Sequence, residues 1–509
     1  MSEHRSAGSD PVPGGGVAAE RTAILRRVDI GNGDGPFRPD WQSLRGYRVP
    51  GWYLDAKFGI FIHWGPYSVP GFGSEWYPRE MYRPGTSAYD HHRKTYGPQD
   101  RFGYKDFLAD FTASRFDPVD WADLFRRAGA QFVVGVGEHH DGFPMYATDL
   151  TRWNAARYGP RRDVIGELAH AVRDRSMVFG VSSHRAEHWW FFNGGMGFDS
   201  DVRDPRYVDL YGPAQREEVQ PTEPFLEDWL ARTVDMVERS DAQLVWFDWW
   251  IEQPAFRPYL ARFAAWYYNR AATRNRPVAI NYKFAAFDEG TAIFDVERGQ
   301  TSGIRPMLWQ NDTSVAVSSW GWVHDQSYKD IRDILGDLVD VVSKNGALLL
   351  NVGPRADGSF EPAERDLLER IGQWLNVNGE AIYGTRPFTV AGEGPTEVAD
   401  AFLNDQSRIP FTAADIRFTT RADIVYAVAL DWPEDDTLTL RTLARGTPDH
   451  PGAVATVELL GHRQPLTFAE GADGLQVRLP PCPPGAVLPV LRITPCDRRA
   501  DARRFALRT

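Results

Sequence analysis

Residues 57–65, KFGIFIHWG, form an apolar run that ends near one ionisable side chain, His63. Aromatic and β-branched residues in such a short run predict a buried strand. The same pattern recurs in QFVVGVGEHH (131–140), MVFGVSSH (177–184), AQLVWFDWW (242–250), PVAINYK (277–283), TAIFDVE (291–297) and GALLLNVGP (346–354). Apolar residues at helical spacing occupy the intervals, for example after Pro118 and Pro362. The alternation predicts parallel βα units.

The ends of these predicted strands favour a closed barrel over an open doubly wound sheet. Nearly every strand ends at a polar or ionisable residue, namely His63, His140, His184, Asp248, Lys283 and Glu297. Active sites of (β/α)8 barrels are assembled from the carboxyl ends of several strands. No dinucleotide glycine fingerprint or phosphate loop follows any of the strands. We therefore expect an α/β protein with a (β/α)8 TIM-like barrel.

Composition divides the chain into four parts. Residues 1–22 are rich in Gly, Pro and Ser, which predicts a disordered N-terminal segment. The catalytic barrel is predicted over 23–385. Over 386–497, short β-rich runs separated by turn residues predict a small C-terminal β-sandwich domain. Residues 498–509 carry several arginines and are predicted to form a basic, solvated tail.

Charge and hydropathy restrict the classes of function. The 509 residues include 57 basic and 69 acidic ones, a net charge of −12, which argues against a nucleic-acid partner. Neither an apolar signal-peptide core nor a stretch of 18 apolar residues occurs, so we expect a cytoplasmic protein with no membrane partner. Cys482 and Cys496 exclude a multi-cysteine metal site but leave one bridge open. The 18 tryptophans suit stacking on sugars or core packing.

Two carboxylates at strand ends are the candidate reacting groups. Asp248 ends the apolar run in LVWFDWW, where desolvation costs free energy unless partners or function compensate. Its alternative role is to cap a following helix. Glu297 ends the run in FDVERG, and a salt bridge with Arg298 is its alternative role. On neighbouring strand ends the two could lie about 5 Å apart, so that one attacks an anomeric carbon while the other protonates the leaving oxygen.

Four histidines lie near the same strand ends. A metal cluster is one interpretation of His63, His139, His140 and His184 together with His188. Adjacent residues on a strand point to opposite faces, however, so His139 and His140 could not both bind one ion without a bend. We therefore predict no metal. Neutral imidazoles are better suited to hydrogen bonds with sugar hydroxyls, and burial in the core is the alternative.

Aromatic residues in loops are further candidates. Glu75 and Trp76 lie in GSEWYPREMY, a loop bounded by Gly and Pro that suits either a binding rim or an ordinary surface loop. Trp309 and Trp320, in MLWQNDTS and SSWGW, are expected to line the pocket, with core packing as the alternative.

Several motifs taken together resemble one known family. They are AKFGIFIHWGPYSVPGFGSEWYPREMY (56–82), HHDGF (139–143), WFD (246–248) and SKNGALLLNVGPRADG (343–358). This combination resembles the α-L-fucosidases of glycoside hydrolase family 29 over roughly residues 45–385. The β-rich C-terminal part is similar to that family's second domain. The resemblance implies a retaining, exo-acting hydrolase that cleaves terminal α-L-fucose from a fucosylated glycan or a small α-L-fucoside, without metal or cofactor.

The resemblance also implies roles for individual residues. Asp248 matches the family's nucleophile. The positions that match fucose contacts are Phe61, His63, Glu75, Trp76, His139, His140 and Trp246. Glu297 is predicted to be the acid/base, from its strand end and a spacing typical of the family. Its alternatives are Glu187, Glu252 and Glu289.

Two positions depart from the family's pattern. Ser182, Ser183 and His184 stand where the family often has a Tyr-Tyr-Ser type of strand end, so His184 or Glu187 could replace a tyrosine hydroxyl. Lys283 stands where many members have arginine, which exchanges a planar fork for a point charge. We expect His184, Lys283 and Trp320 to contact the substrate.

Three rival functions remain open. They are a related glycosidase such as an α-L-galactosidase, whose substrate differs from fucose by one hydroxyl at C6, a noncatalytic fucose-binding protein, and a metal-dependent barrel hydrolase. Loops 83–105 and 187–224 are expected to form the leaving-group side of the site. Association into oligomers is compatible with the sequence.

Overall fold

The computed structural model describes residues 14–405, 408–447, 449 and 453–496. Eight parallel strands form a barrel: β1 (Phe58–Ile62), β2 (Phe132–Glu138), β3 (Val178–Ser183), β4 (Leu244–Phe247), β5 (Ala279–Tyr282), β6 (Ile293–Glu297), β7 (Trp309–Ser314) and β8 (Gly346–Val352). Each strand pairs with the next along the chain, and β8 pairs with β1 through Leu350 and Ile60. The predicted closed barrel is confirmed.

The two faces of each strand are both buried. In β1, Ile60 and Ile62 belong to the large core shared with the surrounding helices, whereas Phe61 between them packs inside the barrel. Val134 of β2 and Leu349 of β8 pack in the same interior cluster as Phe61. Burial on both faces explains why strands such as β1 and β4 are continuously apolar, with polar residues only after their carboxyl ends. Strand β7 is also buried but carries polar residues at 310–314.

Helices fill the connections and surround the strands. Their bounds are α1 (Gly14–Asp34), α2 (Trp41–Leu44), α3 (Gly51–Ala56), α4 (Tyr77–Glu80), α5 (Ser87–Thr95), α6 (Pro118–Arg127), α7 (Val164–Asp174), α8 (Val208–Tyr211), α9 (Glu223–Ser240), α10 (Arg257–Arg274), α11 (Ile331–Ser343) and α12 (Pro362–Asn378). Helix α6 shows the sequence signals at work. Asp117 caps its first turn, Pro118 occupies the first helical position, and Trp121 and Leu124 face the core.

The prediction of disorder over residues 1–22 is wrong for its last nine residues. Helix α1 begins at Gly14 and packs against α9 and α10. Ile24 and Val28 lie one turn apart, so both point to one face of α1, and both are fully buried there. Burial of that face stabilises a helix that continues upstream into an alanine-rich stretch. Residues 1–13 lie outside the described part of the chain.

The C-terminal domain consists of two antiparallel sheets, which confirms the predicted β-sandwich. Their strands are β9 (Arg386–Glu393), β10 (Ile416–Arg421), β11 (Ile424–Ala429), β12 (Thr437–Leu440), β13 (Val454–Leu459), β14 (Phe468–Gly471), β15 (Gly474–Arg478) and β16 (Val490–Pro495). One sheet has the order β13-β16-β11-β10-β9 and the other β12-β15-β14. Phe418 and Ile493 of the first sheet share a core with Leu475 of the second. The predicted basic tail, 498–509, lies outside the described residues.

Two further sequence expectations concern membrane-spanning helices and a disulfide bridge. No helix within the described ranges has the length and apolarity needed to cross a bilayer. Cys482 and Cys496 are both free and exposed, so the bridge that the sequence left open does not form.

A buried ion-pair network joins the two domains. Arg417 of β10 donates to Asp340 of α11 at 2.6 Å, and Lys344 contacts the other oxygen of Asp340 at 2.7 Å. Removing one partner of a buried pair leaves an uncompensated charge. We therefore expect Arg417→Met to lower the free energy of unfolding by about 3 kcal/mol, measured by urea denaturation.

The matched control is Arg492→Met, which removes the half-exposed pair of Arg492 with Glu458. Partly exposed pairs contribute little, so this variant should lose less than about 1 kcal/mol. Equal losses in the two variants would contradict the stabilising role of the buried network.

Candidate active site

The carboxyl ends of the barrel strands meet at one mouth and bring the predicted site residues together. The side chains at this end are His63 after β1, His139 and His140 after β2, His184 after β3, Asp248 after β4, Lys283 after β5 and Glu297 at the end of β6. All of them except Glu297 are buried. Parallel strands of a barrel end on the same side, so residues that are as far apart in sequence as His63 and Glu297 lie in one pocket.

Asp248 is surrounded by hydrogen-bond donors. Its Oδ1 accepts from the ammonium of Lys283 at 3.0 Å and from the backbone amide of Trp249 at 2.8 Å, and its Oδ2 bonds with His184 Nδ1 at 2.8 Å. Burial alone would raise the pKa of Asp248, but Lys283, His184 and His140 hold that pKa well below its usual value. Asp248 is therefore an ionised carboxylate. Its alternative role as a helix cap is not seen.

Lys283 connects the two candidate carboxyls. Its Nζ lies 3.0 Å from Asp248 Oδ1 and 2.6 Å from Glu297 Oε2. The two oxygens can therefore be no farther apart than about 6 Å, the 3.0 and 2.6 Å contacts laid end to end. Burial would lower the pKa of Lys283, but the surrounding carboxyls raise it well above its usual value, so the ammonium stays charged. Its Nζ also lies 4.6 Å from the ring centroid of Trp246.

Glu297 has the opposite protonation tendency to Asp248. Burial and the negative charge of Asp248 raise the pKa of Glu297, against the lowering effect of Lys283. Its side chain is 18% exposed, so its carboxyl reaches the mouth. The alternative salt bridge with Arg298 is wrong, since Arg298 turns away and pairs with Asp405 at 3.1 Å.

The three alternative glutamates occupy different environments. Glu187 is fully buried against the ring of His140, and burial together with Asp248 raises its pKa well above the usual value. Glu252 is half-buried, and burial raises its pKa too. Glu289 is exposed in the loop between β5 and β6. Of these three, Glu187 and Glu252 lie near enough to Asp248 to feel its charge.

The histidines form two groups around His184. His63, His139 and His184 make one, and His140, His184 and Asp248 make the other, with the ligand atoms of each group within 4.8 Å of one another. His139 and His140 fall in different groups, as expected for adjacent residues. Burial lowers the pKa of His63, His139 and His140, so these rings are neutral. Either group could hold a metal ion, and metal-free action stays a prediction that chelator-insensitive turnover would support.

Loop residues complete the pocket wall. Glu75 Oε2 accepts from Ser319 Oγ at 3.1 Å and from the amide of Trp320 at 2.9 Å, which positions the indole of Trp320 5.1 Å from the ring of His63. Trp76 lies 4.8 Å from the ring of His140. Glu75 thus acts on the pocket by fixing Trp320.

The expectation that Trp309 lines the pocket is wrong. Trp309 is the first residue of β7, and the pocket lies at the other end of the strands. Its ring packs with Val296 and Val341 outside the pocket, and its Nε1 donates to Lys344 O at 2.9 Å.

Sequence reasoning missed a polar layer directly beneath Lys283. Asp295 of β6 and Asp312 of β7 are fully buried, and Asp295 accepts from Trp246 Nε1 at 3.2 Å and from Gln310 Nε2. Within the described residues, neither oxygen of Asp312 has a donor. Burial and Asp295 raise the pKa of Asp312 well above its usual value, which favours the protonated form of this carboxyl next to Asp295.

A period of two in the sequence could have revealed this layer. Asp295 precedes Glu297 by two residues, as Trp246 precedes Asp248. Residues two apart on a strand face the same side. Tyr67 was also missed. Its buried ring lies 4.7 Å from that of His139, and its hydroxyl has no hydrogen-bond partner in the part of the chain described.

Comparison with known proteins assigns this architecture. A family model described as α-L-fucosidase matches residues 25–380, and a second one, the α-L-fucosidase C-terminal domain, matches residues 410–494. The chain belongs to the α-L-fucosidase family. It is therefore a glycoside hydrolase, and the resemblance predicted from its motifs is confirmed.

Relatives of this family member cover nearly its whole length. It is 32% identical over 458 residues to the tissue α-L-fucosidase of Rattus norvegicus, which covers 88% of this chain and 90% of that protein. The tissue α-L-fucosidase of Homo sapiens is 31% identical, with 89% of each chain covered. Among solved structures, the Thermotoga maritima α-fucosidase in complex with a mechanism-based inhibitor is 28% identical, with a TM-score of 0.73 over 90% of this chain and 100% of that one.

A substitution of Lys283 tests how this residue affects the pKa of Asp248. Lys283→Met removes the cation that lowers the pKa of Asp248, so that pKa should rise. Asp248 would then be ionised only at higher pH, and the acidic limb of the kcat/KM profile should move upward by about one pH unit or more. Lys283→Arg is the control, because it keeps the charge. An acidic limb that stays in place in Lys283→Met would contradict this role.

Proposed function

We propose that this enzyme is an exo-acting, retaining α-L-fucosidase that releases terminal α-L-fucose from a fucosylated glycan or a small α-L-fucoside. The observation that carries the proposal is the position of Lys283 Nζ between Asp248 and Glu297. Retaining glycosidases hold their two carboxyls about 5–5.5 Å apart, and inverting ones about 6.5–9.5 Å apart. The upper limit of about 6 Å between Asp248 Oδ1 and Glu297 Oε2 supports retention.

The protonation tendencies of the two carboxyls suit double displacement. In the first step, ionised Asp248 attacks the anomeric carbon, the glycosidic bond breaks, and the leaving oxygen takes the proton of Glu297. In the second step, Glu297 takes a proton from water, and the water oxygen attacks the anomeric carbon and releases Asp248. Two inversions at one carbon give net retention. The lowered pKa of Asp248 and the raised pKa of Glu297 place each group in the form that the first step needs.

Aromatic rings close the inner end of the pocket around these carboxyls. Trp246 and Phe61 lie 4.9 Å apart at its inner end, below the strand-end residues, and thus close the barrel there. A pocket closed at one end favours exo action. The proposed contacts of the fucose ring are Phe61, His63, Glu75, Trp76, His139, His140, His184, Trp246 and Trp320. We propose that Lys283, which contacts both carboxyls, positions Asp248 and keeps it ionised.

The first test is hydrolysis of an aryl α-L-fucoside, with the corresponding α-L-galactoside in parallel. We expect turnover of the fucoside, and NMR spectra taken before mutarotation should show α-L-fucose as the first product. Initial β-L-fucose would contradict retention. Preferred turnover of the galactoside would favour the α-L-galactosidase alternative, and binding of fucose without turnover of any fucoside would favour a noncatalytic binding protein.

A further inference from the structure

Three apolar side chains at the barrel mouth form a patch beside Glu297. Phe284, directly after Lys283, is 45% exposed, and Leu403, in the segment between β9 and β10 of the C-terminal domain, is 61% exposed. Phe402 joins them, with its ring 5.1 Å from the ring of Phe284. We call Phe284, Phe402 and Leu403 the rim patch. Large apolar side chains exposed together often mark a binding surface.

The segment that carries Phe402 and Leu403 is tied to the strand that carries Glu297. The amide of Leu403 donates to the carbonyl of Glu297 at 3.0 Å, and the amide of Asn404 donates to that of Arg298 at 3.0 Å. Asp405 pairs with Arg298 at 3.1 Å, and both side chains are buried. The part of the rim patch formed by Phe402 and Leu403 is therefore held against the end of β6 and does not lie on a free loop.

The backbone at two patch positions has a conformation that costs free energy. Phe284 has a φ of +54° and Leu403 a φ of +55°. Bulky residues rarely adopt this left-handed region, whereas glycine adopts it without strain. The chain thus keeps a large exposed side chain at two positions where glycine would be more stable. Residues held in this way cluster at sites that contact ligands.

Phe402 differs from its two neighbours because it also supports the core. Its ring packs against the cluster of Val296, Trp309 and Val341 on the barrel. That contact gives Phe402 a structural role, whereas the exposed side chains of Phe284 and Leu403 are the ones that a ligand could cover.

We propose that the rim patch is the leaving-group subsite of this enzyme and binds an aglycone through a flat apolar face. This inference rests on the proposed function, because the acid that protonates the glycosidic oxygen must lie beside the group that departs. Leu403 is hydrogen-bonded to the backbone of Glu297 and Phe284 directly follows Lys283, so an aglycone that extends from the mouth on this side would reach Phe284 and Leu403. An aryl ring and the C–H face of a pyranose both offer such a surface. This subsite lies at β5, β6 and the segment between β9 and β10, away from loops 83–105 and 187–224, where the sequence suggested it.

The experiment compares substrates with and without an apolar aglycone. The variants are Phe284→Gly and Leu403→Gly, singly and together, and glycine at these positions relieves strain, so they should fold. For the double variant, kcat/KM on 2-naphthyl α-L-fucoside should fall about tenfold. Turnover of α-L-fucosyl fluoride, whose leaving group is a single atom, should not change. Ala422→Gly, at another left-handed position (φ +53°) in the C-terminal domain, is the matched control.

The outcomes separate this subsite from the proposed function. Unchanged naphthyl turnover, or an equal loss on the naphthyl fucoside and the fluoride, would overturn the subsite while leaving the fucosidase intact. No release of fluoride by the wild type would overturn both. A fucosyl disaccharide distinguishes the two sources, since a loss with both substrates indicates the pyranose face and a loss with naphthyl alone indicates aryl groups. If a glycine variant is unstable, Phe284→Asn and Leu403→Asn repeat the test, because asparagine also tolerates positive φ.

Discussion

Asp248→Gly should lower kcat for an aryl α-L-fucoside by about 10⁴-fold or more. Without the carboxylate no glycosyl-enzyme can form, and water cannot use Glu297 as a base from the side where Asp248 stood. The substitution also removes the partner of Lys283 and His184, which lie 3.0 and 2.8 Å from its oxygens. Initial rates of phenolate release measure the loss.

Azide rescue tests whether the missing group is the nucleophile. The space left by Asp248→Gly lies on the face opposite the leaving group, so azide attacking from there should restore turnover and give β-L-fucosyl azide, with inverted configuration. Asp199→Gly, at an aspartate whose side chain is 96% exposed, is the control and should keep full activity. Wild-type rates in Asp248→Gly, or an azide product of retained configuration, would contradict the assignment.

Glu297→Ala should affect substrates according to their leaving groups. Without a general acid, a sugar aglycone must depart as an alkoxide, and kcat/KM should fall about 10³-fold, whereas a dinitrophenyl fucoside needs little protonation and should lose much less in this step. Hydrolysis of the glycosyl-enzyme then becomes slow, because no base activates water. Azide needs no base, so it should accelerate turnover of the activated substrate and give α-L-fucosyl azide, with retained configuration.

The rival acids provide matched variants for this experiment. Glu187→Gln and Glu252→Gln alter carboxyls whose pKa values burial also raises. Neither side chain contacts Lys283, so neither variant should show azide rescue. Rescue in Glu187→Gln, together with wild-type behaviour of Glu297→Ala, would move the acid/base role to Glu187.

Lys283 explains how one pocket can hold two carboxyls with opposite protonation tendencies. Both contact the same ammonium group, but Asp248 also accepts from His184 and Trp249, whereas Glu297 has no comparable set of donors among its contacts in the described structure. Asp248, which accepts more hydrogen bonds, keeps its charge, and that charge raises the pKa of Glu297.

Much of the fold and part of the site could be predicted from particular residues. Runs such as 57–65 and 346–354 are buried on both faces, so their apolar character is local and visible in sequence. Helix α6 could be bounded from Pro118 and its apolar spacing. Helix α1 could not, because what stabilises it is the burial of Ile24 and Val28 against α9 and α10, more than 200 residues away.

Asp248 at a strand end, and the expectation that polar strand ends converge, follow from the sequence by itself, because the direction and period of parallel strands fix where each side chain points. Tertiary structure alone decided what the side chains do there. Lys283 contacts two carboxyls, where the sequence predicted a contact with the sugar. Arg298 pairs with Asp405 instead of Glu297. The ring of Phe284 packs against that of Phe402 from the other domain. These contacts join residues from different strands and domains, and pKa values depend on such distances and on burial, which no local pattern encodes.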